Sequence, residues 1–150
     1  MNQDITQQTV VEMGMFKMLM EGLRTTLAWK VQGNDFSRKL STVRFMVQSF
    51  QRHQERLFAL EEYDGYMSLV EQNAPQLSRT VDALKQQHEK FRIGARRISH
   101  ALERIASTDA ARFACLCDDM LELLDGLEQH NKKEAELFQE AMERDSGGEG

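Results

Sequence analysis

The sequence predicts an all-α fold, an up-down-up-down bundle of four helices. Its 150 residues contain one proline, and they never alternate apolar and polar side chains over a stretch long enough for a β-strand. Apolar residues recur instead every three or four positions along four segments of about 20 to 30 residues, as in amphipathic helices. Short connections between such helices favour an antiparallel bundle. We expect a single domain over residues 8–145, with flexible termini at 1–7 and 146–150.

The first helix is expected to run from Gln8 to Val31. Glycine and asparagine commonly end a helix, and Gly33 and Asn34 follow this one. The helix is rich in methionine, which is more typical of an adaptable core or a partner-docking face than of a cofactor site. Its inward positions are Met13, Phe16, Met20, Leu23 and Leu27.

The second helix is expected to begin at Asp35 or Ser37, either of which can cap its first free amides. We expect it to extend to Glu62, followed by a break at residues 63–66 and a short helical turn at 67–72. Its inward positions are Leu40, Val43, Met46 or Val47, Phe50, His53 or Gln54, Leu57, Leu60 and Glu61.

The third helix follows Pro75, and the fourth follows the cap at Ser107–Asp109. His100 is rotated about 120° from the inward stripe of the third helix and is expected at the surface. The third stripe consists of Leu77, Val81, Leu84, His88, Phe91, Ala95, Ile98, Leu102 and Ile105. The fourth consists of Phe113, Leu116 or Cys117, Met120, Leu123 or Leu124, Leu127, His130, Glu134, Leu137 and Ala141.

The composition argues against several classes of function. A net charge of −5 and the lack of a dense basic face argue against nucleic-acid binding. No apolar run is long enough to cross a bilayer and no signal peptide is visible, so we expect a cytoplasmic protein without membrane contact. Without a glycine-rich phosphate loop or a strand to mount a nucleophile, we do not expect an enzyme.

Cys115 and Cys117 are expected to be small buried side chains rather than ligands.

Three helices each bring polar residues to the inward face. His130 and Glu134 lie on the stripe of the fourth helix, His88 on that of the third, and Glu61 or Glu62 on that of the second. Burying such groups is costly unless a metal ion or an oppositely charged side chain satisfies them. Bundles build metal sites from inward histidines and carboxylates, and such mixed ligation suits iron, and can also hold zinc or manganese.

Three segments carry a family resemblance: FALEEYDGYM at 58–67, APQLSRTVDALKQQHEKF at 74–91 and LEQHNKKEAELFQEAMERD at 127–145. They resemble a bacterial hemerythrin-like domain, a divergent form of the HHE cation-binding domain with part of its ligand set missing. The resemblance implies a four-helix bundle that holds iron. It also implies metal ligands at Glu61, His88, His130 and Glu134.

The ligand pattern of that family is incomplete in this chain. The family's second-helix histidine, four residues before Glu61, is replaced by Leu57, and the first helix contains no histidine and has Met20 in its place. The positions one turn from His88 carry no second histidine. His53 is expected at the edge of the core, partly in solvent. Two histidines and two carboxylates can hold one metal ion, so we do not expect two irons or reversible oxygen binding.

Two functions remain open from the sequence. One is non-catalytic binding or sensing of iron at Glu61, His88, His130 and Glu134. The other is a metal-free bundle that acts as a protein-interaction module, through its methionine-rich first helix or its acidic surface. In that second case Arg92, at the border of the His88 stripe, could bind Glu61 and Glu134 through its guanidinium in place of a metal.

Overall fold

Four long α-helices, one short α-helix and a 3-10 turn at Pro75–Leu77, joined by short connections, make up the part of the chain that the structure describes. The structure is a computed structural model. It describes the backbone of residues 2–33, 35–63 and 65–147 and the side chains of 7–33, 35–63, 65–141 and 143. The helices are α1 (Asn2–Ala28), α2 (Asp35–Glu62), α3 (Tyr66–Asn73), α4 (Ser78–Arg104) and α5 (Ala110–Gly147). These ranges contain no strand, and the all-α prediction is confirmed.

Contacts between neighbouring long helices show that they are antiparallel. Between α2 and α4, Arg44 Nε donates to the Leu102 carbonyl at 2.6 Å while Glu62 lies 3.0 Å from His88, so residue numbers rise along one helix as they fall along the other. The same relation holds between α4 and α5 and between α1 and α2. The predicted up-down-up-down bundle is therefore confirmed.

The ends of α1 differ from those predicted. The helix begins at Asn2 and ends at Ala28, a few residues before both predicted ends. Residues 2–7 contain no glycine or proline that would stop it. Gly33 has a φ of 63°, which lets the chain reverse before α2. Met1, Asn34 and residues 148–150 lie outside the described residues, and the flexibility of both termini stays a prediction.

Two local features fix the starts of α3 and α5. Gly65 lies against the end of α2, where a Cβ would be 2.0 Å from the Leu60 carbonyl oxygen, so only glycine fits this close approach. The chain then turns directly into α3. At the start of α5, Asp109 Oδ1 accepts a hydrogen bond from the Arg112 amide at 3.0 Å, as the predicted cap requires.

Among the described side chains, the inward stripes form two apolar clusters with a gap between them. The larger cluster extends along the bundle from Phe58 and Leu127 towards the α4–α5 connection. The smaller cluster surrounds α3 and includes Leu84 and Leu137. His88 follows Leu84 on α4, and the predicted polar positions of α5 lie between Leu127 and Leu137. The polar residues therefore form a layer between two apolar cores.

Cys115 is exposed, whereas Cys117 is buried. The prediction that both are buried is therefore wrong for Cys115, because residues two apart on a helix point in different directions and only one can face the core. His100 is exposed and His53 is half-buried, as predicted. None of the described helices combines the length and apolar character that a membrane span requires.

Candidate metal centre

The polar layer contains all four side chains that the sequence predicts as ligands. Glu61 comes from α2, His88 from α4, and His130 and Glu134 from α5; each is at most 2% exposed. Glu61 rather than Glu62 faces the core, which settles the helix phase that the sequence left open. The Glu62 side chain keeps 13% exposure and lies on the outer side of the layer.

The imidazoles of His88 and His130 converge on one oxygen of Glu134. His88 Nε2 lies 2.9 Å from Glu134 Oε1, and His130 Nε2 contacts the same oxygen. Glu61 Oε2 approaches from α2 to 3.8 Å from His88 Nε2. Ligand atoms of His88, His130 and Glu134 all lie within 4.8 Å of one another. Two helices, α4 and α5, thus place nitrogen and oxygen ligands close enough together to coordinate a single cation, and Glu61 of α2 lies next to this group without belonging to it.

The other ring nitrogen of each histidine contacts an oxygen outside this centre. His88 Nδ1 lies 3.0 Å from Glu62 Oε1, and His130 Nδ1 lies 2.6 Å from Gln87 Oε1. A neutral imidazole carries one N–H, and the oxygens on both sides of each ring are acceptors, so only one of the two contacts can be a hydrogen bond; we assign the N–H to Nδ1, on the side of the outer partners. Outer hydrogen bonds orient metal-bound histidines in this way. Nε2 and Glu134 Oε1 are then both acceptors, so the contact between them requires either an additional proton or a cation.

Sequence analysis considered Glu62 only as an alternative to Glu61 for the inward position, and it missed Gln87. Each is next to a predicted ligand in the chain, Glu62 after Glu61 and Gln87 before His88. Adjacent helical residues point about 100° apart, so neither lies on an inward stripe. Helical spacing alone could not have identified them. The sequence feature that could is a long side chain with an acceptor oxygen directly beside an inward ligand, since such a side chain can reach around the helix to that ligand.

The two inner carboxyl groups have opposite pKa shifts. Burial and the charge of Glu134 raise the pKa of Glu61 well above its usual range. Burial also opposes ionisation of Glu134, but the imidazoles of His130 and His88 outweigh it and hold the pKa of Glu134 below its usual range. Neither Glu61 Oε2 nor Glu134 Oε2 has a hydrogen-bond partner among the described residues. The layer therefore holds more buried acceptors than protons, and a metal ion fits the residues present.

Among the described residues Arg92 pairs with other carboxylates, so the alternative in which its guanidinium binds Glu61 and Glu134 in place of a metal is not the arrangement found. Arg92 lies at the edge of the inward stripe, and its long side chain extends outward. At 2.8 to 3.1 Å its guanidinium pairs with three carboxylates on the outer side of the layer, Glu55, Glu62 and Glu89.

The pairing of Arg92 with Glu62 has a consequence for His88. Burial opposes ionisation of Glu62, but hydrogen bonds from Arg92 and His88 dominate and lower its pKa. Glu62 is therefore a carboxylate that can accept a hydrogen bond from the Nδ1–H group of His88.

Aromatic side chains hold both imidazoles in place. Phe58 stacks on His88, with ring centroids 3.8 Å apart and planes within 7°. Phe91 meets His130 edge to face at 5.3 Å. Gly126 makes room for Phe91, since a Cβ there would lie 3.2 Å from the phenylalanine ring. The packing fixes both imidazoles with their Nε2 atoms directed at Glu134.

Two cavities lie along α1 next to the polar layer. One, of about 420 Å³, lies between α1 and α5 and has an apolar floor formed by Met13, Phe16, Met20 and Leu57. The other, of about 250 Å³, lies between α1, α3 and α5 and reaches Glu134. Its walls include Val10, Met13, Tyr66, Leu69 and Phe138. The first cavity lies on the side where the family resemblance implies histidines. The second cavity connects the surface with the centre.

An antiparallel bundle with buried imidazole and carboxylate groups on facing helices defines the class of helical metal-binding proteins. The family model of the hemerythrin HHE cation-binding domain matches residues 14–142. This chain belongs to that family, and the matched range includes Glu61, His88, His130 and Glu134. No curated protein and no solved structure matches the chain significantly.

Proposed function

We propose that the protein binds one iron ion per chain, without catalysis, through Glu61, His88, His130 and Glu134. The observation that supports this most strongly is the convergence of His88 Nε2 and His130 Nε2 on Glu134 Oε1, with both Nδ1 atoms engaged by outer acceptors. Iron is favoured among the possible metals because two imidazoles and two carboxylates form a mixed, moderately hard ligand set.

The residues of the centre divide into two roles. The four inner groups would bind the ion, which supplies the positive charge that these buried acceptors lack. Glu62 and Gln87 orient the imidazoles through Nδ1, and Arg92 keeps Glu62 ionised. Removing the outer partners of metal-bound histidines typically weakens metal binding about 10- to 100-fold.

Occupancy of the centre would be sensed through the packing of three helices. Glu61, His88 and the His130–Glu134 pair belong to α2, α4 and α5. Without a cation, the facing acceptors of these helices repel one another or take up protons, and with a cation they are drawn together. The proposed output is the resulting shift of α2 relative to α4 and α5, which makes iron sensing or buffering the function. As part of this proposal the protein acts in the cytoplasm, where the exposed Cys115 would stay reduced.

The test is the metal content of protein purified anaerobically and after incubation with ferrous iron. We expect about one equivalent in the wild type and almost none in His130→Ala. His53→Ala is the matched control, because His53 is half-buried on α2 and makes no contact with the centre that the described side chains reveal. Equal metal content in the wild type and His130→Ala would contradict the proposal.

A second candidate function is favoured by the outer face of α1. Val10, Val11, Met15 and Met18 are 47% to 73% exposed, which is unusual for four large apolar residues on one helix. A bundle that binds no metal under either condition would be better explained as an interaction module that docks a partner on this face. Pull-down with wild type and Met18→Glu would then identify the partner.

A further inference from the structure

The cavity of about 420 Å³ between α1 and α5 has an apolar floor and contains none of the four proposed metal ligands. Its volume is in the range of small-molecule sites in proteins, about 300 to 1,000 Å³. The floor residues Phe16, Met20 and Leu57 are at most 3% exposed and belong to the core of the bundle. Because the floor offers no polar group, it suits a hydrocarbon chain.

The open side of this cavity carries cationic and amide groups. Lys17 comes from α1, and Asn131 and Lys132 come from α5. Both lysines are exposed, so they lie at the opening, where their alkyl stems can cover apolar surface while the ammonium groups stay in water. None of these three side chains has an ion pair or a hydrogen bond with another described residue. The opening therefore offers donors that are free to bind a ligand.

Lys17 and Lys132 lie at the same level on opposite sides of the opening. Arg24 of α1 pairs with Asp125 of α5 at 2.7 Å. Lys17 lies two helical turns before Arg24, and Lys132 lies two turns after Asp125 on the antiparallel helix. The two ammonium groups thus face each other across the cavity.

The charges around the opening favour an anion. Two carboxylates also line the cavity, Glu21 and Glu128. Glu128 accepts a hydrogen bond from Arg24 at 3.1 Å, so its charge is already balanced. Glu21 forms no ion pair with either lysine among the described residues, and it lies one turn further along α1 than Lys17. The opening keeps an excess of positive charge above an apolar floor.

We propose that this cavity binds the free anion of a medium-chain fatty acid such as decanoate. The alkyl chain would lie on the apolar floor, and the carboxylate would lie between Lys17 and Lys132, where Asn131 can donate a hydrogen bond to it. Met13 borders both this cavity and the 250 Å³ cavity, and methionine adapts its shape readily, so a longer chain can extend past it. The inference goes beyond iron binding and does not depend on it.

The test is calorimetric titration of decanoate into the wild-type protein, below the concentration at which the fatty acid forms micelles. We expect saturable binding of one decanoate per chain. Affinity should rise about fourfold for each methylene added between octanoate and decanoate, because each one buries further apolar surface. Decylammonium has the same chain length and the opposite charge, and it should bind at least about tenfold more weakly.

The role of the lysines is tested by substituting both of them. A double variant with Lys17→Ala and Lys132→Ala should bind decanoate at least about tenfold more weakly than the wild type. Lys133→Ala is the matched control, because Lys133 is exposed next to Lys132 but does not line the cavity. It should leave the affinity unchanged.

The role of the cavity is tested by Gly14→Leu. Gly14 lines the opening, and a Cβ there would meet no other atom within 4 Å. Leucine is also a better helix former than glycine, so the variant should fold. Its side chain would narrow the opening, and decanoate should bind at least about tenfold more weakly.

Three outcomes would each overturn the proposal. The first is no saturable binding of decanoate by the wild type. The second is equal affinity for decanoate and decylammonium, and the third is equal affinity in the double lysine variant and in Lys133→Ala. Because the titration contains no iron, its failure is distinct from a failure of the metal-content test.

Discussion

The two sides of the core differ in chemistry at the level of the polar layer. On the side of α4 and α5, His88, His130 and Glu134 converge within 4.8 Å of one another. On the side of α1, Met20 is buried, and it borders an apolar cavity of about 420 Å³ together with Leu57. Both sides have the same helical framework. The comparison shows that the bundle supplies the geometry of a metal centre, and that the individual inward residues decide which side holds ligands.

The difference leads to an expected stoichiometry. Family resemblance implies histidines on the first and second helices, and the residues at those places, Met20 and Leu57, offer at most a thioether sulfur. Such a side chain is a soft ligand that a hard ion such as ferric iron does not prefer. We therefore expect one ion per chain, bound on the α4–α5 side. The predictions below test this asymmetry, from the largest expected effect to the smallest.

The largest effect is expected from Glu134→Ala. Both imidazoles converge on Glu134 Oε1, so this substitution removes the atom that the centre is built around. Ferrous affinity measured by anaerobic calorimetric titration should fall by more than about 100-fold, since loss of an outer-shell partner alone costs about 10- to 100-fold.

Glu136→Ala is the matched control for Glu134→Ala. Glu136 lies two residues further along α5 and is exposed. It should leave the affinity unchanged. An affinity that fell equally in both variants would point to general charge attraction and not to a defined centre.

A smaller effect is expected from Glu62→Gln. Glu62 accepts a hydrogen bond from the Nδ1–H group of His88 and is paired with Arg92 at 2.8 Å. The amide keeps the shape but loses the charge, so ferrous affinity should fall about 10- to 100-fold.

The control for Glu62→Gln is Glu89→Gln, because Glu89 also pairs with Arg92 at 2.8 Å but is 64% exposed and lies outside the centre. We expect less than about a twofold change there, within the range of surface ion pairs. Identical losses in the two variants would mean that Arg92 pairing, and not the orientation of His88, accounts for the effect.

The smallest effect concerns pH. The raised pKa of Glu61 means that its carboxyl group keeps a proton at pH values where an ordinary glutamate is ionised. Coordination needs the carboxylate, so binding releases this proton and affinity rises with pH. One released proton corresponds to about tenfold per pH unit at pH values below the raised pKa. In Glu61→Gln the same titration should have a shallower slope; an unchanged slope would show that Glu61 is not coordinated.

The fold could be predicted from the sequence because each long helix has a mainly apolar stripe at helical spacing along its length. The apolar stripe of α4, from Val81 to Leu102, leaves little freedom in how the helix faces the core, and the cap at Asp109 marks the start of α5. Termini are less constrained. No glycine or proline precedes Gln8, so the sequence offers no signal for where α1 begins.

The inner residues of the centre were also predictable, because His88, His130 and Glu134 interrupt apolar stripes. The contacts that surround these inner residues could not be predicted from the sequence. The helical spacing of a sequence predicts only the direction in which each Cα–Cβ bond points. Arg92 and Glu62 have long side chains that bend away from that direction and form an ion pair on the outer side of the polar layer.

The most direct test of the asymmetric centre is the anomalous diffraction signal of crystals grown with iron, recorded at the iron absorption edge. We predict one peak per chain, within coordination distance of His88 Nε2, His130 Nε2 and Glu134. No peak at those atoms, or a second peak of equal height beside Met20 and Leu57, would contradict the account.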